Sequence, residues 1–407
     1  MNTKLDTTAI VHCALMNERV INNYRISVTV DHVVDKDILQ RAVDKMVERF
    51  PMICCRIISD GRWYYSEKMD RIIVKDDDFP ILRSLNYKNV FEQAVNIICT
   101  ENKIIFEAFH SVTDGSGAFV FLNALIAEYS DLVSGGEGID WGIASERECE
   151  DAFAKFGNAV KTLKDPVDHS NGFKFRPLAE GEKIGFSSLR LNLRQTKDVA
   201  KKHRCTLNEM ILSIIYYGIF SLDYSLGKNV VLTVPVNLRN KFESPTLRNF
   251  SFLANAAVRS EGVDKPLEEV VREIRTRLLK QNNREYLHAG ITKIMKMANN
   301  PLMRIAPLAL KNLVIRAGAA LGGDKGCMTV SNLGDVSRML PDAAEYIKDL
   351  DIMMSPRRHS PFNCVVSSMN GQLSLNFTHG DPDAQFIKGV KAFLDSCGIS
   401  YTHKIHQ

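Results

Sequence analysis

The segment at residues 109–115 carries the residue types best suited to chemistry. It reads Phe-His-Ser-Val-Thr-Asp-Gly, which places His110, Asp114 and Gly115 in the pattern His-x-x-x-Asp-Gly. A neutral imidazole is the side chain best matched to accepting and returning a proton near neutral pH. With ten histidines in 407 residues, chance produces about half of one His-x-x-x-Asp pattern, and the added glycine lowers this to roughly a few hundredths. The pattern therefore predicts a general acid/base site centred on His110.

Two predicted elements would hold these residues. Apolar residues alternate over residues 103–110 and predict a strand that ends at His110. Asp114 and Gly115 then open an apolar helix, predicted over residues 116–132, where a carboxylate suits the positive end of the helix dipole. A purely structural interpretation of the same residues makes Asp114 a helix N-cap and His110 a buried core histidine.

The His-x-x-x-Asp-Gly pattern after a strand resembles the chloramphenicol acetyltransferase-like superfamily. That superfamily includes alcohol O-acyltransferases, polyketide-associated acyltransferases and the condensation domains of peptide synthetases. Further segments resemble its other motifs and follow its order over about residues 5–395: 49–52 (Arg-Phe-Pro-Met), 206–209 (Thr-Leu-Asn-Glu), 234–239 (Val-Pro-Val-Asn-Leu-Arg), 249–250 (Asn-Phe) and 330–334 (Val-Ser-Asn-Leu-Gly). The resemblance is closest to the alcohol O-acetyltransferases.

The sequence departs from the superfamily pattern at three places. Phe109 replaces the first of two consecutive histidines, and Arg248 replaces the glycine that precedes Asn249. The Asp-Phe-Gly-Trp-Gly segment of the plant branch is absent. The last departure argues against that branch.

The resemblance implies a CoA-dependent O-acyltransferase that moves an acyl group, expected to be acetyl, from a CoA thioester to an alcohol without an acyl-enzyme. His110 would take a proton from the acceptor as it attacks the thioester, and would then protonate the departing thiolate. Asp114 would pair with an arginine that holds the loop, with Arg239 as first choice and Arg56 as second. The N–H of Gly115 would face the developing oxyanion.

Three further residues receive roles from the resemblance. Ser331 and Asn332 are candidate substrate-binding groups for the acyl donor or the oxyanion, or else they form a hydrogen-bonded strand end. Asn249 is expected to support the site structurally, together with Arg239. No metal and no bound cofactor are expected, and acyl-CoA enters as a co-substrate beside a small-molecule alcohol.

A second pattern of the same kind, at residues 379–383, lies near the end of the other half of the chain. His379 and Asp383 are spaced as His-x-x-x-Asp, but Ala384 stands where the glycine would be. Each half contains a predicted hairpin whose second strand leads into the histidine and then into a helix. We therefore predict an internal duplication in which His379 is the structural counterpart of His110.

The order of predicted elements favours an α/β fold of two similar halves, each a mixed β-sheet covered by helices. The resemblance implies that these halves are two chloramphenicol acetyltransferase-like subdomains. We assign the N-terminal subdomain to residues 1–165, a polar crossover linker to 166–182 and the C-terminal subdomain to 183–407. Two such lobes leave a cleft between them, which is a usual place for a ligand. Because both lobes are in one chain, a monomer is sufficient.

Composition argues against several other functions. The chain has 52 Lys and Arg against 48 Asp and Glu, and this net charge of +4 argues against nucleic-acid binding. Its nine cysteines are scattered without a Cys-x-x-Cys pair, so zinc and dithiol redox sites are not predicted and a reducing cytoplasm is the expected location. Neither a signal peptide nor stable membrane insertion is predicted.

Three alternatives stay open. The acyl group could come from an acyl-carrier protein, as in condensation domains, with formation of an ester or an amide. The chain could instead be a non-catalytic binding protein of the same fold. The amphipathic segment 301–323 carries Arg304, Lys311 and Arg316 and could touch a membrane or bind an anionic donor, although a packed surface helix is the favoured interpretation.

Overall fold

The computed structural model describes residues 2–16, 22–76, 89–158, 167, 169–177, 184–322, 326–356, 360–379 and 384–406. Of the predicted linker 166–182, it describes only residues 167 and 169–177. The end of the second His-x-x-x-Asp pattern, residues 380–383, lies outside the described residues.

The strands in chain order are β1 (Asn2–Lys4), β2 (Asn23–Thr29), β3 (Cys55–Ser59), β4 (Tyr64–Lys68), β5 (Lys75–Asp76), β6 (Val95–Thr100), β7 (Lys103–Phe109), β8 (Gly185–Asn192), β9 (Asn229–Asn237), β10 (Ser251–Arg259), β11 (Met328–Asp335), β12 (Asp349–Met354), β13 (Phe362–Met369), β14 (Gln372–His379) and β15 (Tyr401–His406). The α-helices are α1 (Thr7–Leu15), α2 (Lys36–Arg49), α3 (Asn89–Glu92), α4 (Gly115–Val133), α5 (Ala152–Phe156), α6 (Leu193–Lys202), α7 (Leu207–Phe220), α8 (Arg239–Phe242), α9 (Leu267–Gln281), α10 (Arg284–Ala298), α11 (Pro301–Ile305), α12 (Leu308–Gly322) and α13 (Ala384–Ser396).

Two mixed sheets repeat one strand arrangement. A five-stranded sheet has the order β12-β2-β7-β6-β5, and a seven-stranded sheet has the order β10-β9-β11-β13-β14-β8-β15. In the first sheet β2, β7 and β6 pair antiparallel, and β5 joins β6 in parallel. In the second sheet β8, β14 and β13 pair antiparallel, and β11 joins β13 in parallel. The repeated arrangement agrees with the predicted duplication, and the α/β class with helix-covered mixed sheets is confirmed.

A strand from the second half of the chain completes the sheet of the first half. β12 pairs antiparallel with β2, from Asp349 opposite Thr29 to Met354 opposite Tyr24. The equivalent place beside β8 in the other sheet is taken by β15. β12 therefore lies within residues 183–407, which the sequence assigns to the C-terminal subdomain, and yet it belongs to the first sheet. This strand therefore connects the two lobes by backbone hydrogen bonds.

The helices that position the candidate site form for reasons visible in the sequence. α4 begins at Gly115, and the carboxylate of Asp114 caps it by accepting the N–H groups of its first turn. The spacing of Thr206 and Glu209 predicts a capping box at the start of α7, and the structure has it. Glu209 N–H donates to Thr206 Oγ1 at 3.2 Å, and Thr206 N–H donates to Glu209 Oε2 at 2.8 Å. Both helices are largely apolar and lie buried in the hydrophobic cores of the first and second lobes.

Some predicted elements differ from the observed ones. The apolar pattern of residues 90–100 predicts one strand, but β6 begins only at Val95, because the short helix α3 occupies the residues before it. The periodicity near residues 302–317 predicts one helix, but the structure divides it into α11 and α12 at Pro307, which has no backbone N–H to continue a helix. The strand β10 and the helix α10 are not predicted from the sequence at all.

Candidate active site

His110 lies directly after the last residue of β7, where the chain turns toward α4. Its backbone N–H donates to the carbonyl oxygen of Asn22 at 2.7 Å. The imidazole stacks on the ring of His12 from α1, with centroids 4.7 Å apart and planes 8° apart. The ring of Tyr24 from β2 meets it edge-on, at a centroid distance of 5.2 Å. His110 remains partly exposed, which differs from the interpretation as a buried core histidine.

The side-chain amide of Asn249 fixes the orientation of the His110 ring. Its Nδ2 donates to the backbone carbonyls of His110 and Ser111, at 2.8 and 3.3 Å. Its Oδ1 lies 2.9 Å from His110 Nδ1. Because an amide oxygen only accepts, Nδ1 carries the proton in this contact, and the basic lone pair of the neutral ring is assigned to Nε2. This tautomer can accept a proton at Nε2.

The carboxylate of Asp114 is buried and paired with the guanidinium of Arg239. Nη1 donates to Oδ2 at 2.9 Å and Nη2 donates to Oδ1 at 3.0 Å. The backbone N–H of Phe250 also donates to Asp114 Oδ2, at 2.9 Å. Arg239 in turn donates to the carbonyls of Thr246 and Arg248, at 2.8 and 2.6 Å. The ion pair thus fastens the start of α4 to the segment between β9 and β10, which belongs to the other lobe.

Arg56, the second candidate partner for Asp114, lies elsewhere. Its Nε contacts the carboxylate of Glu67 on the neighbouring strand β4, and its side chain is 52% exposed. By contrast, the side chains of Arg239 and Asp114 are 13% and 8% exposed. Arg239 is therefore the arginine that the fold brings to Asp114.

Gly115 and Gly117 allow a close approach between α4 and the other lobe. A Cβ on Gly115 would lie 3.1 Å from Leu333 Cδ2. A Cβ on Gly117 would lie 2.3 Å from the carbonyl oxygen of Leu247 and 2.2 Å from Thr113 Oγ1, and that hydroxyl donates to the same carbonyl at 2.7 Å. Since Gly115 is the first residue of α4, its N–H is one of those that a helix leaves without an internal partner.

Ser331 and Asn332 lie next to each other on β11 and therefore point to opposite sides of the sheet. Ser331 is in register with Val365, whose side chain belongs to the hydrophobic core of the first lobe. Leu333, two residues further on, packs against the same core. Ser331 thus faces the lobe that carries His110. Asn332 faces the other way, and its Nδ2 donates to Oδ1 of Asn208 at the start of α7, at 2.9 Å.

His379 ends β14, the strand that corresponds to β7 in the repeated arrangement. Its Nε2 lies 3.1 Å from the hydroxyl of Ser187, and its ring stacks on Phe362 with centroids 5.6 Å apart. Burial, together with repulsion from His403, lowers the pKa of His379 to about 4. A histidine in this setting resists protonation, which fits the structural role expected for the counterpart of His110.

Other kinds of site receive no support within the described part of the chain. No three or more His, Cys, Asp and Glu side chains there are arranged to hold a metal ion. The nine cysteines are all free thiols. None of the described helices is both long enough and apolar enough to cross a bilayer.

His12 and Gly117 are among the residues of the site that are not predicted from the sequence. His12 reaches His110 only through the packing of α1 near the end of β7, and no spacing in the sequence connects the two histidines. Gly117 had a local signal, because two glycines in the first turn of an otherwise apolar helix are unfavourable for helix formation unless close packing requires them. The contact with Leu247 supplies that reason.

No protein-family model matches the sequence, and no curated protein matches it either. Solved structures do match, over nearly the whole chain. TRI3 trichothecene 15-O-acetyltransferase from Fusarium sporotrichioides is 12% identical, with 97% of this chain and 95% of that chain covered and a TM-score of 0.63. TRI101 from F. sporotrichioides, solved with coenzyme A and T-2, is 13% identical, with 98% and 99% covered and a TM-score of 0.60. The first condensation domain of the calcium-dependent antibiotic synthetase, solved with a substrate analogue, is 13% identical, with 98% and 95% covered and a TM-score of 0.61.

At 12 to 13% identity, these likenesses establish the fold and nothing finer. The chain shares that fold with an acetyltransferase, a CoA-bound protein and a condensation domain. The resemblance to the chloramphenicol acetyltransferase-like and condensation-domain superfamily, inferred above from the motifs, is therefore confirmed at the level of the fold.

Proposed function

We propose that the protein is an acyltransferase that moves an acyl group, acetyl in the simplest case, from a CoA thioester to an alcohol. The observation that carries the proposal is the contact between Asn249 Oδ1 and His110 Nδ1, which assigns the basic lone pair to Nε2. Broader support comes from the fold, which the chain shares with a trichothecene 15-O-acetyltransferase and with a protein solved with coenzyme A.

The reaction proceeds as one direct transfer. Nε2 of His110 takes the proton of the acceptor hydroxyl while its oxygen attacks the thioester carbonyl carbon. The C–O bond forms, the C–S bond breaks, and His110 returns the proton to the departing thiolate. The N–H of Gly115 is the proposed donor to the oxyanion that develops on the carbonyl oxygen. His110 thus ends the cycle neutral, and no acyl group is ever attached to the protein.

Asp114 and Arg239 act in this scheme as positioning residues. The two groups are bonded to each other, and both also bond backbone groups of the segment between β9 and β10, while Asp114 caps α4 as well. They hold the turn between His110 and Gly115 against the other lobe, so that base and oxyanion donor keep a fixed separation. Asn249 completes this support by orienting the imidazole.

The substrates reach His110 between the two lobes in this proposal. Ser331 is the candidate polar group for the acyl donor, because it faces the first lobe, whereas the amide of Asn332 is already bonded to Asn208. One chain supplies both lobes, so a monomer suffices. The free cysteines suit a reducing compartment such as the cytoplasm.

A carrier-protein donor is the second candidate, and the likeness to a condensation domain favours it. In that case the same imidazole would assist transfer from a carrier-bound thioester, with an ester or an amide as product. The chemistry at His110 is the same for both donors. The leaving thiol differs, and the acceptor is an amine where an amide forms.

The test is transfer by the purified protein with acetyl-CoA and a panel of short alcohols and amines, followed as free thiol and as ester or amide product. Thiol release that depends on the alcohol, with formation of ester, supports the proposal. If acyl transfer occurs only when an acyl-carrier protein supplies the acyl group, the second candidate is supported and the CoA donor is rejected. No transfer from either donor would favour a non-catalytic binding protein.

A further inference from the structure

The helix pair α11–α12 presents apolar side chains to solvent. The exposed fraction is 74% for Leu302 and 72% for Ile305 on α11, and 63% for Leu313 on α12. Leu310 and Val314 on α12 are exposed at 50% and 43%. The three exposed residues of α12 follow the i, i+3, i+4 spacing of one helix face. We call these five side chains the α11–α12 surface.

The opposite face of α12 combines the buried Leu308, which belongs to the core of the first lobe, with polar side chains that anchor the helix to that lobe. Lys311 is 2% exposed, and its Nζ donates to the carbonyl of Arg62 at 2.8 Å and lies 3.3 Å from the ring centroid of Trp63. Asn312 Nδ2 donates to the hydroxyl of Tyr64 at 2.8 Å. A surface helix ordinarily turns its apolar stripe to the core and its polar face to water. In α12, three aliphatic side chains instead face solvent while Lys311 is buried.

The polar anchors fix this orientation. Turning α12 so that Leu313 entered the core would take Lys311 and Asn312 away from their partners. The same rotation would break the hydrogen bond from Arg316 Nε to the carbonyl of Ala14, which is 2.6 Å long. The fold therefore holds the apolar face outward by specific hydrogen bonds. The segment thus packs on the first lobe as a surface helix, with Leu310, Leu313 and Val314 left exposed.

The segment that forms the surface has no negative charge. The 38 residues between Glu285 and Asp324 include no acidic side chain. At the average acidic content of the chain, 48 of 407 residues, a stretch of that length would contain between four and five. Lys293, Lys296 and Arg304 are exposed in the same segment. Like positive charges would oppose the pairing of two copies through this surface. Exposed aliphatic side chains beside the exposed cations of this segment are instead complementary to anionic headgroups above acyl chains.

We propose that the α11–α12 surface docks the protein on an anionic phospholipid bilayer, with Leu302, Ile305 and Leu313 in the acyl boundary and Lys296 and Arg304 at the headgroups. The contact is peripheral and lies in the plane of the interface. It places the protein where apolar alcohols and long-chain acyl donors concentrate, and it does not depend on the activity proposed above.

Co-flotation of the full-length protein with vesicles tests the proposal. One set of vesicles is phosphatidylcholine alone, and the other contains phosphatidylcholine and phosphatidylglycerol in equal parts. We expect binding to the mixed vesicles that weakens as salt is raised. Leu310→Ser/Leu313→Ser should abolish it, and Lys296→Gln/Arg304→Gln should weaken it about 25-fold, since each basic residue near the surface contributes roughly fivefold.

The matched control is Ile143→Ser/Leu226→Ser, which removes two aliphatic side chains exposed at 92% and 64% on other parts of the molecule. This control should bind like the wild type. No binding to the mixed vesicles, or equal binding by the Leu310→Ser/Leu313→Ser variant, would overturn the proposal. Loss of a dimer in the same variant, measured by light scattering without lipid, would also overturn it, because the surface would then serve a second copy. Circular dichroism shows whether each variant keeps its fold.

Discussion

Removal of the Asp114 carboxylate should destabilise the first lobe more than any other change at the site. Asp114→Ala leaves the guanidinium of Arg239, which is 13% exposed, without its counter-charge. Breaking a buried ion pair at one partner costs about 3–5 kcal/mol, and loss of a helix N-cap costs about 1 kcal/mol more. We therefore expect the free energy of unfolding to fall by about 4–6 kcal/mol.

Arg239→Ala should cost less, about 3 kcal/mol, because Asp114 keeps the N–H groups of Ser116, Gly117 and Phe250 as hydrogen-bond donors. The double variant should lose less stability than the sum of the single variants, since neither buried charge is then left alone. A coupling of about 2–3 kcal/mol is expected between groups in direct contact.

Urea unfolding followed by tryptophan fluorescence measures these effects in the relevant lobe. The chain has two tryptophans, and both Trp63 and Trp141 belong to the first half. Arg56→Ala is the control, because its ion pair with Glu67 lies at the surface and contributes about 0–1 kcal/mol. Additive losses in the double variant, or an Arg239→Ala variant as stable as Arg56→Ala, would refute the reasoning.

Three further outcomes follow from the geometry. Gly117→Ala places a Cβ 2.3 Å from the Leu247 carbonyl and should lower stability by about 1–3 kcal/mol in the same urea experiment; unchanged stability would mean that α4 can move away. Asn249→Asp puts a negative charge beside His110 Nδ1 and keeps the imidazole protonated to higher pH, so the acid limb of the rate profile should move to higher pH; an unmoved limb would deny this contact a role. Because burial lowers the pKa of His379 from 6.5 to about 4, the unfolded chain binds its proton first, and the contribution of this residue to stability should fall by up to about 3 kcal/mol between pH 6.5 and 4. His379→Phe removes that contribution, so its stability relative to the wild type should rise over the same range, and an identical pH dependence of the two proteins would contradict that account.

Local patterns predicted the parts of the fold that depend on neighbours in sequence. The capping box at Thr206 and Glu209 and the N-cap at Asp114 appear where residue types alone place them. Each of these needs only a few consecutive residues to form its hydrogen bonds. The hairpins that lead to His110 and His379 were likewise predictable, because alternation and turn residues set them.

Features that depend on distant residues could not be predicted in the same way. β12 is a short strand whose partner β2 lies more than 300 residues earlier, so nothing near Ile352 indicates which sheet it joins. The stacking of His12 on His110 has the same origin. The orientation of α12 about its own axis is set by contacts with Trp63 and Tyr64 from the β3–β4 hairpin. The spacing of apolar residues along α12 therefore predicts an amphipathic helix but does not predict which side chains are exposed.

The transfer rate of His110→Ala with saturating acetyl-CoA and an accepted alcohol tests the central claim most directly. We expect kcat to fall by about 100- to 10,000-fold, which is the usual contribution of a general base, while coenzyme A binding measured by calorimetry stays within about threefold. His379→Ala should transfer at close to the wild-type rate. If His110→Ala kept its rate and His379→Ala lost it, the base would lie in the other lobe and the account given for His110 would be wrong.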